Sequence, residues 1–143
     1  MKITFIAHSA FLVEWDKFYT LFDYVYEPDY TGTLPPLDPQ KPLLVFSSHS
    51  HEDHFDGKVF GLLEQYPLTQ FFVSRDTRLT ERRRKWLGIS DEAFARTTVL
   101  RPDSILLTEA AGEELSVRAI KSTDIGNASR RPSGLRKTRF SSN

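Results

Sequence analysis

The sequence predicts an α+β domain built in layers, and three observations lead to that class. Short runs near the N-terminus alternate apolar and polar residues, as half-buried strands do. The middle of the chain changes to strand, helix, strand, the repeat that packs helices against a sheet. The last apolar runs alternate again.

Residues 2–7, 11–15 and 18–22 read as three strands, joined near Ser9-Ala10 and at Asp16-Lys17 into a meander. Residues 26–42 hold five prolines, Pro35-Pro36 among them, and predict a surface loop, either a plain connector or a substrate lid. The unbroken apolar run Leu43-Leu44-Val45-Phe46 predicts a buried strand. Phe55, Val59, Leu62, Leu63 and Tyr66 then recur at helical spacing, with Asp56 placed to cap the start. Residues 69–73 return as a strand, and 77–87 form a second helix ending before Gly88. In that helix Arg82-Arg83-Arg84-Lys85 spreads around the circumference, which predicts a solvated surface rather than one phosphate-binding stripe. Residues 104–108 and 114–120 read as half-buried strands joined by a turn at Ala111-Gly112-Glu113.

Composition narrows the function classes. The chain has 143 residues, enough for one modest core, and 39% hydrophobic with 13% aromatic residues marks it as globular. Nineteen basic residues balance nineteen acidic ones, so no global charge pulls it toward nucleic acid or membrane. Met1-Lys2-Ile3-Thr4-Phe5 starts directly with strand-like alternation and lacks a signal-peptide core, and no stretch is long enough to span a bilayer. A cytoplasmic location without a membrane partner is the expectation. The absence of cysteine excludes disulfides and thiolate chemistry.

The chemistry concentrates in one place. Three of the four histidines fall within His49-Ser50-His51-Glu52-Asp53-His54, directly after the buried run. Residues two apart on an extended backbone point the same way, so His49 and His51 can grip one ion from one side. A turn at Asp53-His54 lets that pair bracket a second. Imidazole with carboxylate suits zinc first, with manganese or iron as substitutes, in one or two ions. The helix that follows would bring its N-terminal amides beside the metal, favouring an anionic substrate group.

These residues resemble the metallo-β-lactamase superfamily. The likeness covers about the first 126 residues: a run ending in Ala7-His8-Ser9-Ala10-Phe11, a strand ending in Asp23, and a strand leading into the cluster. It implies an αββα sandwich, of which mainly the N-terminal half is present. It assigns His49 and His51 to one metal, and Asp53 and His54 to the other. It places His8 near the active site, although a strand-end histidine fits as well, and it makes Asp23 the acid that steadies a ligand histidine, although a turn aspartate fits too. The activity implied is hydrolysis of an ester, amide or phosphodiester-type bond in a small-molecule substrate, with metal-activated hydroxide as nucleophile and Asp53 orienting it or accepting its proton.

The resemblance also implies ligands that are missing. The family completes its site with a further histidine, a bridging aspartate and a last histidine, yet no histidine follows His54. Asp124, in Lys121-Ser122-Thr123-Asp124-Ile125-Gly126, stands where the next ligand is expected, and it also fits a turn or helix-cap aspartate. Residues 127–143 change character: Arg130, Arg131, Arg136, Lys137 and Arg139 are unopposed by any acid, leaving 14 basic against 19 acidic residues in 1–126. That tail reads as disordered or non-native, or as a basic arm for RNA or anionic lipid; the first is favoured because the change falls where the family would continue. The alternative to a hydrolase is therefore a truncated or non-catalytic metal-binding protein. A nucleic-acid module is disfavoured by net neutrality, and exposed sheet surface makes homo-oligomerisation an expectation.

Overall fold

The computed structural model describes residues 1–7, 9–24, 34–48, 57–121 and 136–142. The N-terminal alternation builds an antiparallel meander of β1 (Lys2–Ala7), β2 (Ala10–Glu14) and β3 (Tyr19–Phe22). β4 (Leu43–Ser47) pairs parallel to β3, β5 (Thr69–Ser74) to β4, and β6 (Thr97–Leu100) to β5, so that one six-stranded sheet follows chain order. Parallel neighbours require crossovers. Between β4 and β5 this is a 3-10 turn, Gly57–Gly61, running into α1 (Leu62–Gln65), and between β5 and β6 a 3-10 turn, Arg75–Thr77, followed by α2 (Glu81–Trp86) and α3 (Asp91–Ala95). β7 (Ile105–Ala110), β8 (Glu113–Lys121) and β9 (Arg136–Ser142) form a second, antiparallel sheet.

Three layers result. Val59, Phe60, Leu63, Leu79, Ile89 and Ala93 of the helical layer pack on Leu12, Leu21, Leu43, Val45, Phe71 and Val73 of the first sheet. Its opposite face places Leu44, Phe46, Phe72 and Leu100 against Ala110, Leu115, Val117 and Ala119 of the second sheet. Every residue of β4 is buried, which is why its sequence is an apolar run rather than an alternation. Register aligns Phe5, Phe11, Phe22, Phe46 and Phe72 in one row across five strands of that inter-sheet face. Ring centroids are 5.3 Å apart for Phe5 and Phe11, 5.1 Å for Phe22 and Phe46, and 5.0 Å for Phe46 and Phe72.

Several expectations need correction. The helix after the cluster is a 3-10 turn with one short α segment, because Gly57 and Gly61 weaken the α-helix there. The second helix is shorter than 77–87: Arg78 takes φ 50°, and Thr80 caps α2 by accepting from the Arg83 N–H at 3.2 Å. The basic run is not uniformly solvated. Arg84 is buried where α2 turns into α3, donating to Glu81 at 2.5 Å and to the Ile89 carbonyl at 3.3 Å, pairing with Asp91 and lying over the Phe94 ring. Its hydrogen bond holds the Glu81 carboxyl below the usual glutamate value, so that pairing is complete at neutral pH and lost as acid protonates Glu81.

The proline-rich loop is a connector over its described part. Leu37 is buried, Asp38 donates its N–H to the Tyr19 hydroxyl at 3.1 Å, and the Tyr19 backbone N–H donates to the Pro42 carbonyl at 2.9 Å. These contacts sit at the start of β3, the end away from Asp23, so 34–42 is no lid; residues 25–33 lie outside the described ones. In the tail, 136–142 form β9, paired with β8 from Leu115↔Ser142 to Lys121↔Arg136. Order there comes from ladder hydrogen bonds rather than from apolar periodicity. The boundary at residue 126 falls outside the described residues.

Two outcomes test this packing. Phe46→Ala removes the ring shared by both neighbours in the row and should cost about 3–5 kcal/mol in urea unfolding. The β7–β8 hairpin turns on Ala111 (φ 52°) and Gly112 (φ 80°), a two-residue loop with both central φ values positive. Asparagine tolerates that geometry better than alanine, so Ala111→Asn should raise stability by about 0.5–1 kcal/mol in the same assay.

Candidate metal centre

β3 and β4 run parallel, so their carboxyl ends lie side by side, and ligands of open α/β sheets bind outside such ends. The register Phe22↔Phe46 sets the next residues of the two strands within reach. Asp23 adopts φ 48°, a left-handed conformation that aspartate tolerates better than most side chains. Its N–H donates to the Phe46 carbonyl at 2.8 Å. Its carboxylate accepts from the Ser48 N–H at 2.7 Å through Oδ1 and from the Ser48 hydroxyl at 2.7 Å through Oδ2. Both are short, charge-assisted bonds to a buried residue. They tie the end of β3 to the last residue before His49.

Of the residues singled out in the sequence, Asp23 is the one the structure describes. His8, His49, His51, Asp53, His54 and Asp124 lie outside the described residues. Among the described residues no group of three or more His, Cys, Asp or Glu side chains is arranged to hold an ion. The chemistry of the cluster fits a divalent metal nonetheless: three imidazoles and a carboxylate within six residues, joined directly to a strand end whose exit is clamped by Asp23.

Ser48 was missed in the sequence. Its signal is the serine pair Ser47-Ser48 closing an apolar strand just before the histidines: both are buried, and a buried hydroxyl needs a partner. At the same edge, β5 ends in Ser74, whose hydroxyl pairs with Asp76 and whose carbonyl accepts from the Thr77 hydroxyl at 2.8 Å. The strand next to β4 is thus closed by its own local hydrogen bonds.

The fold is similar to that of metallo-hydrolases. Among solved structures, Igni18, a metallo hydrolase from the hyperthermophilic archaeon Ignicoccus hospitalis, superposes with a TM-score of 0.57 at 19% identity, covering 98% of this chain and 55% of that one. A mutant of the β-hydroxylase CmlA gives a TM-score of 0.60 at 14% identity over 97% of this chain and 28% of that chain. The chain therefore spans about half of the first and under a third of the second. What the two share with it is a mixed sheet and helix arrangement of the sandwich type, present in part. No family model and no curated protein matches the sequence. No helix among the described residues is long and apolar enough to cross a membrane.

Variants at Asp23 separate backbone conformation from carboxylate contact. Asp23→Asn keeps tolerance for the left-handed conformation and one acceptor, and should lose about 1–2 kcal/mol. Asp23→Ala leaves the buried Ser48 N–H without this partner and should lose roughly 2–4 kcal/mol. Urea unfolding of the two side by side reads the difference; an Asp23→Asn variant as stable as the native chain would mean that the carboxylate contributes nothing beyond its backbone setting.

Proposed function

We propose that this chain is a metal-binding protein on a metallo-hydrolase type of fold, holding a divalent transition ion through His49, His51, Asp53 and His54, and that alone it lacks hydrolase turnover. The observation supporting this reading is the clamp of Asp23 on Ser48, which holds the last described residue before the histidine cluster at the carboxyl edge of the sheet. Three imidazoles and one carboxylate with no thiolate favour zinc, with manganese or iron as alternatives. His49 and His51 hold the tighter ion, and Asp53 with His54 offer a weaker second position. With no histidine after His54, a second ion has few protein ligands beyond Asp124. Asp23 would act through Ser48 on the residue that leads into the cluster, and His8 keeps the role near the site that the resemblance implies.

A hydrolase is the second reading, favoured by the fold shared with a metallo hydrolase. An ion held there supplies Lewis-acid polarisation of an ester, amide or phosphodiester-type bond. Asp53 would orient the attacking water or accept its proton. A small-molecule substrate and a cytoplasmic setting belong to that reading too.

Elemental analysis after dialysis should find about one equivalent of zinc in the native chain, and the double variant His49→Ala/His51→Ala should retain almost none. Unchanged stoichiometry would sink the ligand assignment. Lactam, thioester and phosphodiester substrates offered with zinc or manganese should show little turnover. Cleavage on the order of one per second or faster, abolished in His51→Ala, would replace the non-catalytic reading by the hydrolase one.

A further inference from the structure

The second sheet covers only part of the face it packs on. On the inter-sheet face of β1 and β2, Ile3 is 60% exposed, Phe5 61% and Phe11 40%, and Met1 beside them is 76% exposed. Phe46 and Phe72 of the same aromatic row are almost fully buried. The row thus runs out of the core into solvent. Alternation sends the charged residues of these strands, Lys2 and Glu14, to the other face, where they pair at 3.9 Å. The exposed face of β1 and β2 carries no charge at Ile3, Phe5, Phe11 or Val13.

We propose that this face is the interface of a two-fold symmetric dimer, each copy laying Ile3, Phe5 and Phe11 on the same residues of the other. A two-fold contact must be self-complementary, and an apolar face whose side chains carry no charge meets its own copy without like-charge repulsion between them. At ~200 Å² per large side chain, the exposed fractions of Ile3, Phe5 and Phe11 together with the neighbouring Met1 amount to roughly 500 Å² of apolar surface per copy. That is the greater part of the ~800 Å² that each partner contributes to a stable interface. The partner's Phe5 and Phe11 would continue the edge-tilted ring packing already present between these two residues. The other exposed strand face is unlike it: Ile105 and Leu107, 64% and 75% exposed, stand beside exposed Arg118 and Glu114, a mixed surface suited to water. The dimer does not depend on metal binding.

Sedimentation equilibrium of the full chain, from about 1 to 100 μM, should show a monomer–dimer equilibrium unaffected by a chelator. Phe5→Glu should raise the dissociation constant by about a hundredfold or more, and the independent variant Ile3→Lys should do likewise. Circular dichroism and unfolding midpoints of both confirm the fold, since both positions are solvent-facing in the single copy. A native chain that stays monomeric overturns the proposal. So does a dimer that persists in both folded variants, one that dissociates only on chelation, or a monomer that binds anionic vesicles through this face.

Discussion

The strand Leu43–Ser47 is the member on which the other layers depend. Leu43 and Val45 face the helices while Leu44 and Phe46 face the second sheet, so both cores draw on four consecutive residues. Its pairings to β3 and β5 are parallel, which is what brings three carboxyl ends to one edge. Loss of packing on either face would therefore disturb the position of that edge. Phe46 couples the two roles most directly: its ring stacks on Phe22 and Phe72, and its carbonyl accepts the N–H of Asp23.

The edge is organised before any ligand is considered. Asp23 has a strained-type backbone, an N–H bonded to one strand and a carboxylate bonded to Ser48. Positive φ at a non-glycine residue is commonly found where geometry matters to a site. At this position it turns the chain out of β3 while leaving the carboxylate aimed back at β4. The carboxyl ends of β3 and β4 thus meet at one clamp, contributed by residues 25 apart in sequence, just before the segment that carries the histidines.

Much of the sheet was legible because period and burial agree. Three alternating N-terminal runs became β1 to β3, the apolar run became β4, and 69–73 became β5 with one more residue. What failed was short or nonlocal. α3 and β6 are five and four residues long, too brief for periodicity, although Ser90 followed by Asp91 and Glu92 is a cap signal; Ser90 accepts from the Ala93 N–H at 3.2 Å. Arg84 looked like one charge among four because its partners Asp91 and Phe94 belong to the next helix. β9 is almost without apolar residues, and its pairing partner is β8, reached across residues 122–135. For the site, the residue types pointed to a metal from sequence alone, while the Asp23–Ser48 contact required knowing the parallel register of β3 and β4.

The clamp also bears on how the cluster tolerates change. Residues 49–56 leave from Ser48, held by Asp23, and return at Gly57, where an added Cβ would lie 3.4 Å from Leu87 and where Val59 and Phe60 follow into the core. With both ends anchored by the folded layers, closing this eight-residue span is a cost already met by folding. Doubling such a span adds only about 0.6 kcal/mol of closure entropy. Insertions between the histidines would therefore leave the domain folded, so the length and spacing of this segment can drift during evolution without a matching loss of stability.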